Sequence, residues 1–252
     1  MSDQPTSDFF QSSLGAVIES PNGTRWWHHM PLPDGSRIRG VNPDLDYQYK
    51  KWEALQISNA GGLVGKSVLD VGANDGFYSL AAFKSGAASV TAINSDDWDG
   101  YPQNLQYAAD AWGMRPEILT ADFRDHDFGR AFDVILFLGV LYHLEDVFTG
   151  IKRLRSLLNP GGVLYIETQM TPIQCDRPIF ENASDVYPTR VGQSKKELHR
   201  AGLSNYLLPN EHAMRNLAYS YDFSYERLEG PSNRLTPQNP DRQFFKFIRL
   251  DD

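Results

Sequence analysis

The chain has 252 residues, of which 41% are hydrophobic and 22% are charged. This length and composition favour one large α/β domain, or one domain with a small appendage. The formal net charge of −8 argues against a global basic field of the kind that attracts nucleic acid. The single cysteine, Cys175, excludes an internal disulfide and any cysteine-based zinc or iron–sulfur site. A reducing, cytoplasmic setting fits this cysteine usage.

Two features of the sequence bear on targeting. The segment Met1–Ser13 is polar and acidic, and it lacks the basic and apolar parts of a signal peptide. We expect it to fray in the folded protein. The longest apolar run, Val134–Tyr142, has about half the length that a membrane helix needs, so we predict no membrane span.

Residues 1–60 are predicted to form an N-terminal extension before the main domain, residues 61–252. Within the extension, the stretch Trp26–Gly35 is aromatic and then rich in turn residues. Two interpretations stay open for it: a lid over a pocket, or a strand packed on the domain with a turn at Pro33–Gly35. A predicted amphipathic helix, Asp46–Ile57, follows it.

The stretch Ser67–Leu80 is the clearest local signal in the sequence. A short apolar run carries Asp70 near its carboxyl end, and a turn between Gly72 and Gly76 leads to a helical face that begins at Phe77. Strand, glycine turn and helix form the first unit of a nucleotide-binding α/β sheet, in which ligands bind beyond the carboxyl ends of the strands. Gly72 can adopt a positive φ, and the helix start presents free N–H groups. A tight turn without a ligand is the alternative.

Further strands alternate with helices along the rest of the chain. The predicted strands are Ser89–Ile93, Glu117–Thr120, Phe132–Leu138 and Val163–Glu167, with strand-like segments at 222–228 and 244–250. The predicted helices start at Pro102, cover Ile151 to Leu158, and run from Pro209–Asn210 to Tyr219. This order predicts a Rossmann-like, doubly wound α/β fold with a seven-stranded sheet, mostly parallel and with an antiparallel terminal strand.

The region Met170–Ser204 interrupts this alternation. Its prolines and its lack of periodicity predict a loop insertion, about residues 170–204, after the fifth strand. Long loops in compact domains tend to be functional, so we expect the insertion to shape a binding pocket.

Three segments, Val68–Gly76, Phe132–Ile135 and Leu158–Leu164, occur in an order and at spacings that are specific when taken together. They resemble the first motif, the fourth-strand motif and the turn into the fifth strand of the class I S-adenosylmethionine-dependent methyltransferases. The resemblance covers Lys66–Glu167 well and the last two strands loosely. Five short strings are also similar to the wobble-uridine transfer-RNA (mo5U34/cmo5U34) methyltransferases: His29–Gly35, Gly40–Asn42, Lys51–Trp52, Gly139–His143 and Ile166–Thr168.

This resemblance implies that the chain binds S-adenosylmethionine as a methyl donor. Asp70 would accept hydrogen bonds from the ammonium of the donor, and backbone N–H groups of the glycine turn would meet its carboxylate. The ribose would lie at Asn94 and Ser95, the adenine at Asp122 and Phe123, and the methionine part at Leu138 and Gly139. The predicted donor-binding residues are Asp70, Gly72, Ala73, Asn74, Gly76, Phe77, Asn94, Ser95, Asp122, Phe123, Leu138, Gly139 and Trp52.

Asn94 departs from the pattern of the family, which places an acid there for the two ribose hydroxyls. An amide carbonyl cannot accept from two hydroxyls as well as a carboxylate does. Either Asp96 reaches back to the ribose, or ribose binding is weaker. For Asp122, the alternative role is that of a loop cap.

Three side chains are candidates for catalysis: His143, His29 and Tyr142. Tyr142 would face the transferred group, and His143 would hold or deprotonate the acceptor, with His29 as a second candidate base. The alternatives are a packed tyrosine, a helix-capping His143 and a packed His29. No acidic cluster with ligand spacing stands out, so no metal is predicted.

The first functional hypothesis is methyl transfer to a small-molecule acceptor, at a hydroxyl of a sugar or a natural product. The second is methyl or carboxymethyl transfer to the wobble uridine of transfer RNA. The carboxymethyl branch of the family holds the extra carboxylate of its donor with an upstream lysine and with the tyrosine matched by Tyr142. Pro31–Gly40 offers Arg37 and Arg39 but no lysine. The net charge of −8 also weakens a transfer-RNA substrate, because phosphate contacts dominate such affinity. A non-catalytic Rossmann-like binding subunit is the third hypothesis, and a homo-oligomer is left open.

Overall fold

The computed structural model describes residues 9–10, 16–42, 44–58, 61–95, 100–182, 206–230 and 242–251. Its strands are β1 (Val17–Ile18), β2 (Met30–Pro31), β3 (Arg37–Ile38), β4 (Ser67–Val71), β5 (Ser89–Asn94), β6 (Glu117–Thr120), β7 (Phe132–Leu138), β8 (Leu158–Gln169), β9 (Phe180–Asn182), β10 (Leu207–Pro209), β11 (Glu226–Leu228) and β12 (Arg242–Ile248). Its α-helices are α1 (Tyr47–Ala54), α2 (Phe77–Lys84), α3 (Gln103–Trp112), α4 (Val147–Ser156) and α5 (Glu211–Ser220), and Leu141–His143 form a short 3₁₀ helix. The chain forms two compact units, Met1–Asp127 and Phe128–Asp252.

Seven of these strands form one sheet in the order β11-β12-β8-β7-β4-β5-β6. β4, β5 and β6 pair in parallel, and so do β7 and β8, whereas β12 runs antiparallel to both β8 and β11. The predicted terminal strands appear as β11 and β12, with bounds shifted from 222–228 and 244–250. The predicted α/β fold, with a mostly parallel seven-stranded sheet and an antiparallel terminal strand, is therefore confirmed.

The segment from β4 to α2 has the predicted form of strand, glycine turn and helix. β4 lies in the core because its apolar residues Val68, Leu69 and Val71 are buried. α2 begins after Gly76, whose φ of +84° is accessible to glycine and strained for other residues. A Cβ at this position would lie 2.1 Å from Cδ1 of Leu105 on α3. Both the backbone conformation and the packing therefore require glycine here.

The elements that follow α2 also have nearly the predicted bounds. Pro102 directly precedes α3, and Gly113 ends it with a φ of +67°. β5 continues one residue further than predicted, to Asn94, while β6 and β7 start and end where the sequence places them.

A small three-stranded sheet, in the order β1-β3-β2, lies in the N-terminal region. The predicted turn at Pro33–Gly35 joins β2 to β3, with Gly35 at a φ of +83°. α1 ends at Ala54, before the predicted end at Ile57. The helix cannot continue because Gln56 adopts a left-handed φ of +53°.

Two aromatic residues of the first thirteen are packed rather than frayed. The Phe9 side chain is fully buried, and its ring centroid lies 5.3 Å from that of Phe77 and 5.4 Å from that of Trp112. Phe10 stacks on Trp52 at 6.1 Å between ring centroids. The expectation that this segment frays is wrong for these two residues, because burying aromatic area on α1, α2 and α3 outweighs the ordering of a short segment. Its other residues lie outside the described ranges.

In the second unit, α4 begins earlier and ends earlier than predicted. It begins after Asp146, whose carboxylate accepts a hydrogen bond of 3.0 Å from the N–H of Thr149. It ends at Ser156, and Leu158 belongs to β8 instead, where it pairs with Phe132 of β7. The apolar spacing of Leu158 fits a helix, but the sheet partner decides its conformation.

The described part of the predicted insertion, residues 170–182, ends in β9, which pairs antiparallel with β10. Asn210 caps α5 and also holds the loop before β9, because its amide accepts from the N–H of Ile179 at 3.2 Å and donates to the carbonyl of Arg177 at 2.7 Å. Residues 183–204, the rest of the insertion, lie outside the described part of the chain. Among the helices described, none is long and apolar enough to cross a membrane.

Candidate functional site

Asp70 lies in β4, two residues before Gly72 at the start of the glycine turn, and its side chain is buried. One carboxylate oxygen accepts a hydrogen bond of 2.6 Å from the hydroxyl of Ser79 in the first turn of α2. Burial raises the pKa of Asp70 to about 6, although Ser79 and His28 act in the opposite direction. The hydrogen bond from Ser79 places the carboxylate at the N-terminus of α2, and a helix N-terminus favours a negative charge.

The glycine turn contains three residues with left-handed backbone: Gly72 at +74°, Asn74 at +53° and Gly76 at +84°. The N–H groups of Gly72 and Ala73 both donate to the carbonyl of Ile93, at 2.9 and 3.3 Å. The predicted role of the turn's N–H groups was to meet the donor carboxylate, but these two are bonded inside the sheet. The N–H of Phe77, at the start of α2, has no acceptor within the helix and suits that role better.

Asp75 is a residue of the turn that the sequence did not single out. Its buried carboxylate accepts hydrogen bonds of 2.7 Å from the backbone N–H groups of Trp27 and His28. Its other oxygen lies 2.5 Å from Nδ1 of His28. The sequence shows Asp75 only as an acidic residue inside a glycine turn. Its partners, Trp27 and His28, lie almost fifty residues upstream, so no local sequence pattern connects them to it.

α1 brings a cation and an aromatic ring to the first turn of α2. The ammonium of Lys51, on a buried side chain, lies 5.5 Å from the ring centroid of Tyr47 and 5.3 Å from that of Tyr78. Trp52, a predicted donor-binding residue, stacks on Tyr78 at 6.4 Å. Lys51 belongs to the Lys51–Trp52 segment that resembles the wobble-uridine methyltransferases, but the sequence analysis assigned it no part in donor binding.

The carboxyl ends of β5 and β6 carry the residues predicted for the ribose and the adenine. Asn94 is half-buried at the end of β5 and Ser95 is exposed, while Asp96 lies outside the described residues. Asp122 accepts from the backbone N–H of Arg124 at 2.9 Å and from its guanidinium at 2.5 Å. These bonds are those of a loop cap, the alternative role of Asp122, and Phe123 is buried beside it.

Both ring nitrogens of His29 contact backbone groups. Nδ1 accepts from the N–H of Gly40 at 3.0 Å, and Nε2 lies 2.5 Å from the carbonyl oxygen of Asn42. Because Nδ1 accepts, the contact with the Asn42 carbonyl assigns a ring proton to Nε2. The ring is buried and both nitrogens have backbone partners, which is the geometry of a packed histidine, the alternative role of His29.

The second unit contains a polar cluster around Gly139, which follows β7 with a φ of +81°. Nη1 of Arg242 donates to Oε1 of Glu167 at 2.6 Å, and Nη2 donates to the hydroxyl of Tyr142 at 2.8 Å. Glu167 is fully buried and Tyr142 nearly so. Charge pairing and hydrogen bonding therefore fix the position of the Tyr142 hydroxyl.

This cluster converges on the place where Gly139 lacks a side chain. A Cβ there would lie 3.4 Å from Oε2 of Glu167, 3.5 Å from the Tyr142 hydroxyl and 3.7 Å from Nη1 of Arg242. His143 is half-buried, with its ring centroid 4.3 Å from that of Tyr142. The sequence predicted Tyr142 and His143 but missed Arg242 and the ion pair of Glu167, because these residues belong to strands far apart in the chain.

A family model described as "Methyltransferase domain" matches residues 47–227. The chain belongs to this methyltransferase-domain family. The match confirms the predicted resemblance to the class I S-adenosylmethionine-dependent methyltransferases. Within the described ranges, the His, Cys, Asp and Glu side chains form no group of three or more that could hold a metal ion.

Relatives of this methyltransferase include proteins named tRNA U34 carboxymethyltransferase. The chain is 31% identical to that of Methylococcus capsulatus over 134 residues, which cover 52% of this chain and only 40% of the relative. It is 28% identical to that of Helicobacter pylori (strain Shi470) over 208 residues, which cover 78% of this chain and 76% of the relative.

The fold is shared with the solved structure of 1,6-didemethyltoxoflavin-N1-methyltransferase from Burkholderia thailandensis. The TM-score is 0.56 at 18% sequence identity, and the superposition covers 82% of this chain and 80% of that one. At this identity the likeness shows the architecture of the methyltransferase and nothing of its acceptor.

Proposed function

We propose that this methyltransferase transfers the methyl group of S-adenosylmethionine to a hydroxyl of a small molecule. The proposal that the acceptor is a hydroxyl is based on the convergence of Tyr142, Arg242 and Glu167 on Gly139. A hydroxyl is a weak nucleophile while it keeps its proton, so it gains most from groups that orient it and accept that proton.

The residues of the first unit fit the charged end of the donor. The methionine part of S-adenosylmethionine carries an ammonium and a carboxylate. Asp70 provides a buried anion, and Lys51 provides a buried cation beside the first turn of α2. We assign the ammonium to Asp70, and the carboxylate to Lys51 and the N–H of Phe77 at the start of α2.

The other predicted donor-binding residues keep their assignments within this proposal. Asn94 and Ser95 would bind the ribose with one amide and one hydroxyl, and Phe123 would lie against the adenine. Asp122 would contact the adenine amino group only if its carboxylate accepts a further bond beside those from Arg124. The turn that binds the donor would be shaped by Gly72, Ala73, Asn74 and Gly76. Trp52 would lie beside the donor through its stacking on Tyr78. The methionine part would lie at Leu138 and Gly139.

The donor supplies an electrophilic methyl carbon on a sulfonium, and the chain itself aligns the acceptor and excludes water. Tyr142 would orient the acceptor hydroxyl, because the hydrogen bond from Arg242 holds the Tyr142 oxygen in a fixed position. His143, beside the Tyr142 ring, would accept the proton of the acceptor. Residues 1–60 would form an N-terminal extension to this domain.

A methyl donor is favoured over a carboxymethyl donor by the segment Pro31–Gly40. Its two cations already have partners: Arg37 lies 3.3 Å from Asp46, and Arg39 donates to Glu19 at 2.9 Å. The segment contains no lysine that could hold an additional carboxylate.

The second candidate function is modification of the wobble uridine of transfer RNA. The names of the relatives from Methylococcus capsulatus and Helicobacter pylori favour it. The net charge of −8 counts against it, because transfer-RNA binding depends on cations that neutralise phosphates.

A transfer assay with radiolabelled S-adenosylmethionine separates these functions. We expect label in hydroxyl-bearing small molecules such as sugars and phenols, and no gel shift of transfer RNA. Labelled transfer RNA, together with a gel shift that weakens as salt is added, would establish the second function instead. Donor binding without transfer to either class of acceptor would leave the non-catalytic binding subunit.

The role of His143 has its own test. His143→Ala is expected to lower turnover about 100-fold, because general-base assistance is lost, while calorimetric affinity for S-adenosylhomocysteine stays within about twofold. His212→Ala, an exposed histidine on α5, is the matched control and should change neither quantity. Unchanged turnover in His143→Ala would remove His143 from the proposal.

A further inference from the structure

The carboxylate of Asp75 connects the glycine turn to an upstream segment of the same unit. This segment, residues 20–31, is called the strap below. Trp27 and His28 of the strap donate their backbone N–H groups to one oxygen of Asp75, and the imidazole of His28 contacts the other oxygen. Opposite a carboxylate, Nδ1 of His28 must be the donor. Asp75 therefore accepts three hydrogen bonds from two consecutive residues.

The strap is also bonded to α3, so it is a fixed partner for the turn. Asn104 donates to the carbonyl of Arg25 at 2.8 Å and accepts from the amide of Asn22 at 2.9 Å. The indole N–H of Trp112 donates to the carbonyl of Pro31 at 2.9 Å. These bonds hold the strap at both ends, with Trp27 and His28 between them.

The turn needs such a partner because its own backbone is strained. Asp75 lies between Asn74 and Gly76, which both have positive φ. A non-glycine residue in this region is disfavoured, so Asn74 keeps its conformation only where the surroundings impose it. The Asp75 side chain is fully buried and that of His28 is 9% exposed, so water does not compete for their bond.

The pair also lies within electrostatic range of Asp70. The charged groups that act on the Asp70 carboxyl are His28, which lowers its pKa, and Asp75, which raises it, beside the hydrogen bonds from Ser79. Tyr101 also faces Asp70, with its hydroxyl bonded to the carbonyls of Ala92 and Leu119. His28 and Asp75 thus act on Asp70 with opposite signs.

We propose that Asp75 and His28 are positioning residues for the methyl donor, holding the Asn74–Gly76 part of the turn in its binding conformation and balancing the charge beside Asp70. The inference rests on the proposed function, since it assigns the ammonium of the donor to Asp70. A pair with a structural role alone would stabilise the fold without tuning the pH dependence of donor binding.

The test measures the affinity of S-adenosylhomocysteine by calorimetry between pH 5 and pH 8 in the full chain. Asp75→Asn removes the negative charge, and His28→Asn removes the imidazole while its amide can still donate from the place of Nδ1. We expect Asp75→Asn to weaken binding about tenfold at pH 8, because the turn loses a charged hydrogen bond. His28→Asn should weaken it less.

The decisive readout is the pH at which affinity falls as Asp70 takes up its proton. Removal of the Asp75 carboxylate should move this midpoint to lower pH, and removal of the His28 imidazole should move it to higher pH, because they act on the pKa of Asp70 with opposite signs. Asp34→Asn, in the exposed turn between β2 and β3, is the control and should leave the midpoint unchanged.

Wild-type affinity and midpoint in both variants would overturn the inference, and so would midpoints that move in the same direction. If Asp75→Asn does not fold, as judged by its thermal transition, the direction of the shift in His28→Asn decides alone. Failure of the wild-type chain to bind S-adenosylhomocysteine would instead contradict the proposed function, so the two failures are distinct.

Discussion

The glycine turn of the first unit and the Gly139 cluster of the second unit position polar groups in different ways. The turn does so by backbone conformation, with Gly72, Asn74 and Gly76 at positive φ. The cluster does so by charge, since Arg242 joins Glu167 and Tyr142 across 75 and 100 positions of sequence. The conformation of the turn is therefore sensitive to an added Cβ atom at its glycines, whereas the cluster is sensitive to the loss of one of its buried charges.

The largest expected effect comes from breaking the charge-built cluster. Arg242→Met should lower the free energy of unfolding by about 3–5 kcal/mol, because Glu167 stays buried without its cation. Thermal and denaturant unfolding measure this loss. The double variant Arg242→Met/Glu167→Gln is the control and should recover most of the stability. A single variant as stable as the wild type would show that the pair does not hold the cluster.

The next effect concerns donor binding in the first unit. Asp70→Asn keeps the shape of the side chain and removes its charge, so affinity for S-adenosylmethionine should fall roughly 100-fold by calorimetry. Asp110→Asn on the exposed face of α3 is a matched control and should bind as the wild type does. Equal affinity in Asp70→Asn would remove Asp70 from the donor site.

A smaller effect tests the backbone-built turn directly. Gly76→Ala should destabilise the chain by about 2–3 kcal/mol, since the new Cβ meets both a positive φ and Cδ1 of Leu105. Gly113→Ala has a comparable φ with open space around it and should cost only about 1 kcal/mol. If the two variants lose the same stability, packing against Leu105 contributes nothing.

The smallest effect is a pH dependence of stability that comes from Asp70. Its pKa in the folded chain is about 6, above the usual value, so the folded state holds this proton more tightly than the unfolded state does. The stability that Asp70 contributes is therefore greatest below about pH 4 and falls as the pH rises toward 6. Because asparagine does not titrate, the stability of Asp70→Asn relative to the wild type should rise over this range by about 2 kcal/mol. A constant difference between the two proteins would contradict the raised pKa.

The same contrast explains which features could be predicted from the sequence. The β4–α2 unit was predicted because its apolar run, its glycines and its helix start are neighbours in the chain, and each has a local physical meaning. The ion pair of Arg242 and the packing of Phe9 could not be predicted, since neither residue carries a pattern of its own. Histidines gave the least information: the sequence cannot show that both nitrogens of His29 have backbone partners, or that His28 has an acid.

The short ladder between β9 and β10 has a consequence for how this chain can vary. Asn182 pairs with Leu207, so the chain leaves the ladder and re-enters it at two facing residues. Among the described residues, the cap of α5 and the loop held by Asn210 use bonds to Ala213, Ile179 and Arg177, which lie outside the intervening stretch. A change in the number of residues between Asn182 and Tyr206 therefore alters the loop-closure entropy only slightly, by about 0.6 kcal/mol for a doubling of the length. The described bonds of Asn210, and the donor turn in the first unit, would stay as they are.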